Sequence, residues 1–154
     1  MKKILIAVDD SRGAETAVKT FNDLFLNGHP PESVVLLYIQ KIEGRSLMDE
    51  MLGEAEMSTL KEMLKGTEYK EMMDRKADKV ISYYRDMLEK TGVAGIKTVI
   101  KEGHPADAIL ETAKEEGIEM IIVGSRGSRM HTWMMGSVSR EVANRSDISV
   151  LIAR

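Results

Sequence analysis

The chain has 154 residues, a length typical of one domain that buries about 70% of its unfolded surface. Cysteine is absent, which excludes disulfides, thiolate metal sites and cysteine nucleophiles. The net charge of −3 gives no basic footprint for nucleic acid, and no apolar run approaches the ~20 residues of a membrane span. We therefore expect a cytoplasmic protein with one domain over residues 1–154 that binds neither nucleic acid nor membrane.

The first part of the chain alternates apolar runs with an amphipathic segment. Residues 4–8 are continuously apolar, which predicts a strand buried on both faces, and the acidic pair that follows ends the run too early for a signal peptide. Asp10 or Ser11 is suited to cap the next helix, whose apolar residues recur at helical spacing until residues 27–31 end it. A second apolar run, residues 34–39, predicts the second strand.

Residues 41–66 interrupt this alternation. Glycines divide the segment, methionines are frequent in it, and several apolar residues share one helical face. We predict a mobile insert with one or two short helices. Because methionine repacks easily, the segment is compatible with an adaptable partner surface, and it is equally compatible with a simple flap over the core.

The alternation resumes after the insert and predicts the fold. The further elements are a helix over residues 68–90, a strand over 96–100, a helix from Pro105 to Gly117, a strand over 120–123, a helix over 136–144 and a strand over 148–152. Strands that alternate with helices predict a five-stranded parallel sheet inside a three-layer α/β/α sandwich of the Rossmann-like kind. Ligands of such sheets lie beyond the carboxyl ends of the strands, where Asp9, Ile39 and Gly124 should converge.

The segment after the fourth strand is the part of the sequence best suited to a ligand. Gly124 and Gly127 follow the apolar run, and Gly136 stands directly before Ser137 and a predicted helix. The bare N–H groups of such a loop, together with the dipole of the helix, are typical of phosphate sites. The three glycines are also compatible with tight turns alone, and Ser137 and Asp9 with roles as helix caps.

Other side chains of this segment have two interpretations each. Arg126 and Arg129 are suited to phosphate charge, although exposed loop arginines are more often solvated. Trp133 either covers a ligand or a partner chain, or anchors the loop to the core.

The sequence contains no pattern typical of a metal or catalytic site. The three histidines lack metal-like spacing, and no catalytic constellation stands out. The Gly-Lys-Ser/Thr of a P-loop is absent, so any nucleotide hydrolysis should be slow.

These motifs resemble those of the universal stress protein family over nearly the whole chain. The likeness rests on Ile-Leu-Ile-Ala-Val-Asp-Asp-Ser at residues 4–11, Leu-Tyr-Ile at 37–39, Glu-Gly-His-Pro-Ala at 102–106, the glycine-rich segment and the last strand. The ATP-binding members carry Gly, two residues, Gly, nine residues, and then Gly followed by Ser or Thr. Gly124 and Gly127 match this signature, and Gly136-Ser137 follows after eight residues, one fewer than in the family.

The resemblance implies a site for ATP at the matching positions, with Mg²⁺ on its phosphates. Asp9 resembles the acidic residue near the ribose or the metal-bound phosphates, Ile39 the apolar residue beside the adenine, and Gly136 the start of the helix that receives the phosphates. The implied binding residues are Ala7, Val8, Asp9, Ile39, Val123, Gly124, Arg126, Gly127, Gly136, Ser137, Val138 and Ser139. Family members are usually dimers joined along the last strand, which implies a homodimer through residues 148–152, an apolar edge.

Three functions are compatible with this sequence. The glycines and Asp9 favour a dimeric, ATP-binding stress or signalling module that changes its partner contacts with its nucleotide. The eight-residue spacer and the methionine-rich insert favour an interaction or chaperone-like dimer of the branch that binds no nucleotide. The third function, a very slow ATPase, rests on analogy of fold alone.

Overall fold

The structure is a computed structural model that describes residues 1–41, 68–126 and 135–154. The predicted insert therefore lies, apart from residue 41, outside the described residues. The elements of the described part are β1 (Lys3–Val8), α1 (Arg12–Phe25), β2 (Ser33–Gln40), α2 (Glu68–Lys90), β3 (Ile96–Glu102), α3 (Pro105–Glu116), β4 (Met120–Gly124), α4 (Ser137–Arg145) and β5 (Ser149–Ala153).

The five strands form one parallel sheet in the order β3-β2-β1-β4-β5. The chain moves outward from β1 through β2 to β3, then returns to the other side of β1 for β4 and β5. The strand order therefore reverses between β1 and β4, and ligands of open α/β sheets bind beside the carboxyl ends at such a reversal. This topology confirms the predicted α/β fold and its five-stranded parallel sheet.

Successive residues of the central strand pack into two separate cores. Ile4 and Ile6 of β1 face α1 and α2, whereas Leu5 between them faces α3 and α4. Ile109 of α3 and Val142 of α4 belong to this second core. Because helices cover both faces of the sheet, both sets of β1 side chains are buried, and this explains the continuous apolar run in the sequence.

Three of the predicted start and stop signals of the helices are confirmed. Ser11 is the N-cap of α1, and its Oγ accepts a hydrogen bond from the Ala14 N–H at 3.4 Å. Pro105 is the first residue of α3, where a missing N–H costs nothing. Gly117 ends α3 in the left-handed region, at φ 63°, which glycine adopts without a steric penalty.

The predicted bounds of most strands and of the last helix differ from the structure by one or two residues. β3 continues to Glu102 because it pairs with the last residues of β2, so that Gln40 lies opposite Glu102. β5 covers Ser149–Ala153 rather than 148–152, since the Ile148 N–H donates to Ser146 Oγ at 3.2 Å and forms a local turn. The last helix begins at Ser137 and ends at Arg145.

α2 is a long amphipathic helix on the same face of the sheet as α1. Ala77, Ile81, Tyr84 and Leu88 recur every three or four residues and are buried. Tyr84 is 4% exposed, and its burial, with a smaller contribution from the Asp9 carboxylate, raises the pKa of its phenol to about 12. No described helix, α2 included, combines the length and the apolar character needed to cross a membrane.

We expect part of the stability of this core to be lost in alkaline solution through Tyr84. Folding raises the pKa of the phenol from 10 to about 12, so the contribution is present below about pH 10 and disappears as the pH rises toward about 12. A rise of that size corresponds to about 2.7 kcal/mol. Urea unfolding at about pH 9 and about pH 11.5 should therefore show a smaller alkaline loss for Tyr84→Phe than for the unmodified protein.

Tyr83→Phe is the matched control, because it removes the same hydroxyl from a neighbouring ring that is 54% exposed. This control should retain the full alkaline loss. Equal losses in the unmodified protein and in Tyr84→Phe would contradict the role of the buried phenol.

Candidate functional site

The carboxyl edge of the sheet brings together chain segments that are distant in sequence. Asp9 directly follows β1, Ile39 is the residue before the end of β2, and Gly124 is the last residue of β4. Because β1 pairs with both β2 and β4, these three strand ends lie side by side. Gly136 joins them, since its N–H donates to the Ser125 carbonyl at 2.7 Å. The predicted convergence of these residues is therefore present.

Asp9 and Ser11 form a closed turn between β1 and α1. Asp9 Oδ1 accepts hydrogen bonds from the Ser11 N–H, at 2.8 Å, and from the Ser11 hydroxyl. The same hydroxyl oxygen caps α1 by accepting from Ala14. The alternative in which Asp9 itself caps the helix is therefore wrong: Asp9 orients the cap. This turn uses Oδ1 and does not need Oδ2, the second carboxylate oxygen of Asp9.

α4 begins without a side-chain cap. Gly136 is its N-cap and forms no side-chain cap hydrogen bond, so the alternative in which Ser137 caps the helix is wrong. Ser139 Oγ donates to the Gly136 carbonyl at 3.0 Å, and the Arg140 N–H closes the first turn on the same oxygen at 3.1 Å. The N–H groups of residues 137–139 precede the first intrahelical donor, and they lie at the positive end of the helix dipole. This helix start is chemically suited to an anion.

Ser125 holds together the two ends of the segment that joins β4 to α4. Its N–H donates to the Ala153 carbonyl at 2.7 Å, and its carbonyl accepts from the Gly136 N–H at 2.7 Å. Ser125 is 5% exposed, so these hydrogen bonds are shielded from water. Arg126, which follows it, is exposed. Three candidate residues of the segment, Gly127, Arg129 and Trp133, lie outside the described residues.

Gly124 has a packing role in addition to its predicted ligand role. A Cβ at Gly124 would overlap the Gly13 carbonyl group and lie 2.6 Å from the Gly13 Cα, in the first turn of α1. A Cβ at Gly13 would in turn overlap the Arg126 carbonyl oxygen. Sequence reasoning missed Gly13. The available signal was a glycine in the first turn of a helix, where most other residues are better helix formers.

A polar network closes the β2–β3 side of this edge, and sequence reasoning missed it as well. Gln40 is 3% exposed; its Nε2 donates to Asp74 Oδ1 at 2.8 Å, and its Oε1 accepts from Lys70 Nζ at 3.0 Å. Lys70 also pairs with Glu102 at 2.7 Å, and this carboxylate raises the lysine pKa. The hydrogen bond from Gln40 lowers the pKa of Asp74. The network attaches the start of α2 to the strand ends beside Ile39. The one sequence feature that indicated this network was Gln40, a polar residue at the end of an apolar run.

A second polar cluster joins α3 to α4. His104 Nδ1 lies 3.5 Å from Asp107 Oδ2, and His104 Nε2 lies 3.6 Å from Glu141 Oε2. These three side chains are close enough to hold a cation. Arg145 Nη1 already lies between the two carboxylates, 2.7 Å from Asp107 and 2.6 Å from Glu141, and its hydrogen bond lowers the pKa of Asp107. We therefore interpret the cluster as an ion-pair network. Sequence spacing missed it because Glu141 comes from another helix.

The sheet order and the residues at its carboxyl edge define a Rossmann-like α/β protein. Its candidate anion site is the start of α4, beside the reversal of strand order between β1 and β4. The model of the Universal stress protein family matches residues 1–154, and the chain belongs to this family. It is similar to Universal stress protein MJ0577 of Methanocaldococcus jannaschii, with 31% identity over 160 residues that cover 99% of this chain and 94% of that protein. The solved MJ0577 structure has a TM-score of 0.67 at 29% identity, and covers 99% of this chain and 94% of its own.

Two more distant solved structures contain adenine nucleotides. A universal stress protein in complex with cAMP has a TM-score of 0.62 at 18% identity, over 99% of this chain and 96% of that chain. A family protein from Arabidopsis thaliana with AMP bound has a TM-score of 0.66 at 17% identity, over 99% of this chain and 91% of that chain. At these identities the likeness establishes the shared fold.

The cap of α1 should contribute measurably to stability. Ser11→Ala removes the oxygen that accepts from Ala14, and we expect the free energy of unfolding to fall by about 1 kcal/mol, as for other N-cap serines. Ser137→Ala is the matched control, because it removes the same hydroxyl from a helix start where no side chain caps. This control should stay within about 0.5 kcal/mol of the unmodified protein. Equal effects in urea unfolding would contradict the different roles of the two serines.

Proposed function

We propose that this universal stress protein binds ATP and, as a homodimer, changes its contacts with partner proteins according to the bound nucleotide. The observation that carries the proposal is the start of α4. Its first N–H groups have no side-chain cap, and a hydrogen bond from Gly136 to Ser125 places this start at the carboxyl edge of the sheet. An uncapped helix start at this edge is suited to phosphate.

In the proposed complex, the phosphates lie at residues 136–139. The cation Arg126 directly follows Ser125, whose carbonyl accepts from the Gly136 N–H. Asp9 binds a ribose hydroxyl or the Mg²⁺ that accompanies the phosphates, with the carboxylate oxygen that the turn to Ser11 does not need. Ile39 lines the adenine pocket, together with the backbone of residues 7–8 and 123–124. The relatives with bound cAMP and AMP support an adenine nucleotide as the ligand class.

We propose a binding protein rather than an efficient catalyst. A P-loop lysine stabilises charge on the transferred phosphoryl group, and the sequence contains no Gly-Lys-Ser/Thr that would supply it. A very slow ATPase remains compatible with this site.

The second candidate function is an interaction dimer without nucleotide, and one observation favours it: eight residues, not nine, separate Gly127 from Gly136.

We place the dimer along β5, because the two edges of the sheet differ in charge. On β3, Lys97 pairs with Glu116 at 2.6 Å, and Lys101 pairs with Glu111 and Glu115 at 3.1 and 2.8 Å. Lysines on an edge strand oppose pairing with another chain. β5 has the sequence Ser-Val-Leu-Ile-Ala and carries no charge, so its edge is the one suited to a second copy.

We expect protein purified without added nucleotide to release ATP or ADP when it is denatured, and Mg-ATP to bind the emptied protein in calorimetry. Asp9→Asn should weaken this binding roughly tenfold, or by about 1.4 kcal/mol, because a neutral amide attracts Mg²⁺ less than a carboxylate does. Asp23→Asn is the matched control: Asp23 is exposed near the end of α1 that lies away from the carboxyl edge.

An empty supernatant together with no heat of binding at about 1 mM Mg-ATP would overturn the proposal and favour the interaction dimer without nucleotide. Binding that is weakened equally by Asp9→Asn and Asp23→Asn would contradict the place assigned to Asp9.

The position of the dimer can be tested with proline. The Ala153 carbonyl accepts from Ser125 of the β4 side, so alternate backbone groups of β5, including those of Val150, face outward. Val150→Pro removes an outward N–H and leaves the β4–β5 hydrogen bonds in place, so it should convert the dimer to a monomer in sedimentation velocity.

Thr98→Pro is the matched control for this prediction. Gly95 directs its carbonyl to Val34 of β2, so the N–H of Thr98 faces outward on the opposite edge. This control should remain dimeric. A dimer that survives Val150→Pro, or one that only Thr98→Pro disrupts, would be inconsistent with pairing along β5.

A further inference from the structure

We infer that Gly13 is a positioning residue of the ligand site: by lacking a side chain, it sets the position of the Arg126 peptide and, through Ser125, the start of α4. The consequence for ligand binding rests on the proposed function. The positioning itself does not depend on any ligand and has its own readout.

The contact behind this inference is the close packing of Gly13, in the first turn of α1, against Gly124 and Arg126. Gly13 is buried in the first turn of α1, and a Cβ there would overlap the Arg126 carbonyl oxygen and lie 3.1 Å from the Arg126 carbonyl carbon. Gly124 faces the same turn from β4, and a Cβ on it would overlap the Gly13 carbonyl group. The Gly13 backbone therefore occupies the space that a side chain on Gly124 would need, and the Arg126 peptide occupies the space that a side chain on Gly13 would need. α1 approaches β4 more closely than any other residue pair would permit.

This close approach uses the missing Cβ and not the backbone freedom of glycine. The described glycines with positive φ are Gly92, Gly95, Gly103 and Gly117. Gly13 is not among them and has ordinary helical geometry as the second residue of α1. Alanine would therefore be the better residue at this position if nothing packed against it. Only the neighbouring Arg126 peptide gives a physical reason for glycine.

The contact of Gly13 with Arg126 is linked to two parts of the candidate site, the start of α4 and the turn formed by Asp9 and Ser11. On one side, Arg126 follows Ser125, whose backbone holds Ala153 and Gly136 at 2.7 Å each, so a shift of this peptide displaces the N-cap of α4. On the other side, Ser11 caps the turn that contains Gly13 and is itself held by Asp9. The first turn of α1 thus sets the spacing between Asp9 and the start of α4. Binding sites generally require their groups to be held within about 0.5 Å.

The test is Gly13→Ala, with amide hydrogen exchange measured in the absence of ligand. We expect the Ser125 and Gly136 amides to exchange roughly tenfold faster, because their hydrogen bonds are strained, while the Ile81 amide of α2 keeps its rate. ATP binding should be roughly tenfold weaker. Gly28→Ala is the matched control, since a Cβ on Gly28 has no atom within 4 Å and its φ is not positive. This control should change neither exchange nor affinity.

Ser11→Ala provides a second variant should Gly13→Ala fail to fold. It adds no atom to the contact and only loosens the turn that presents Gly13, so it should raise exchange at the same two amides to a smaller extent. Unchanged exchange at Ser125 and Gly136 in the variant, or an equal rise at Ile81, would overturn the positioning role. If the unmodified protein binds no ATP and the two amides still respond, the proposed function fails while the positioning role stands.

Discussion

The burial of β1 on both faces and along both edges is the constraint on which the rest of the structure depends. β1 pairs with β2 on one side and with β4 on the other, and its side chains enter two different cores. A strand in this position needs parallel neighbours and helices above and below it. Parallel neighbours require a crossover helix between strands, so all the carboxyl ends are at one edge of the sheet. The candidate site lies at this edge for that reason.

α1 and α4 both begin at the candidate site, and they differ in whether a side chain accepts a hydrogen bond from their first N–H groups. In α1, Ser11 accepts from Ala14, and two carboxylates, Asp9 and Asp10, precede the helix. α4 has no side-chain cap and no acidic residue in its first turn. The charges around these two helix starts therefore favour an anion at α4 over one at α1. Many Rossmann-like proteins place phosphate at their first helix, whereas the complex that we propose places it at the last one.

The described surface ion pairs between β3 and α3 contribute little to stability. The pairs of Lys97 and Lys101 with α3 are solvent-exposed on at least one side, and such pairs contribute between about 0 and 1 kcal/mol each. Their placement on β3 nevertheless gives one edge of the sheet a charged border that β5 lacks. The ion pairs of Arg145 with Asp107 and Glu141 link α3 to α4 and are also partly exposed to solvent.

The sequence by itself determined the elements, their order and the strand ends at which Asp9, Ile39 and Gly124 lie. These follow from local signals: a continuous apolar run for a strand buried on both faces, helical spacing over Glu68–Lys90, a capping serine, and Gly117 after a helix. Only the tertiary structure decided which residues touch across the fold. It brought Gly13 against Arg126, Gln40 against Lys70 and Asp74, and His104 beside Glu141. Local patterns report burial and periodicity, whereas the distance between two distant segments depends on how every element between them packs.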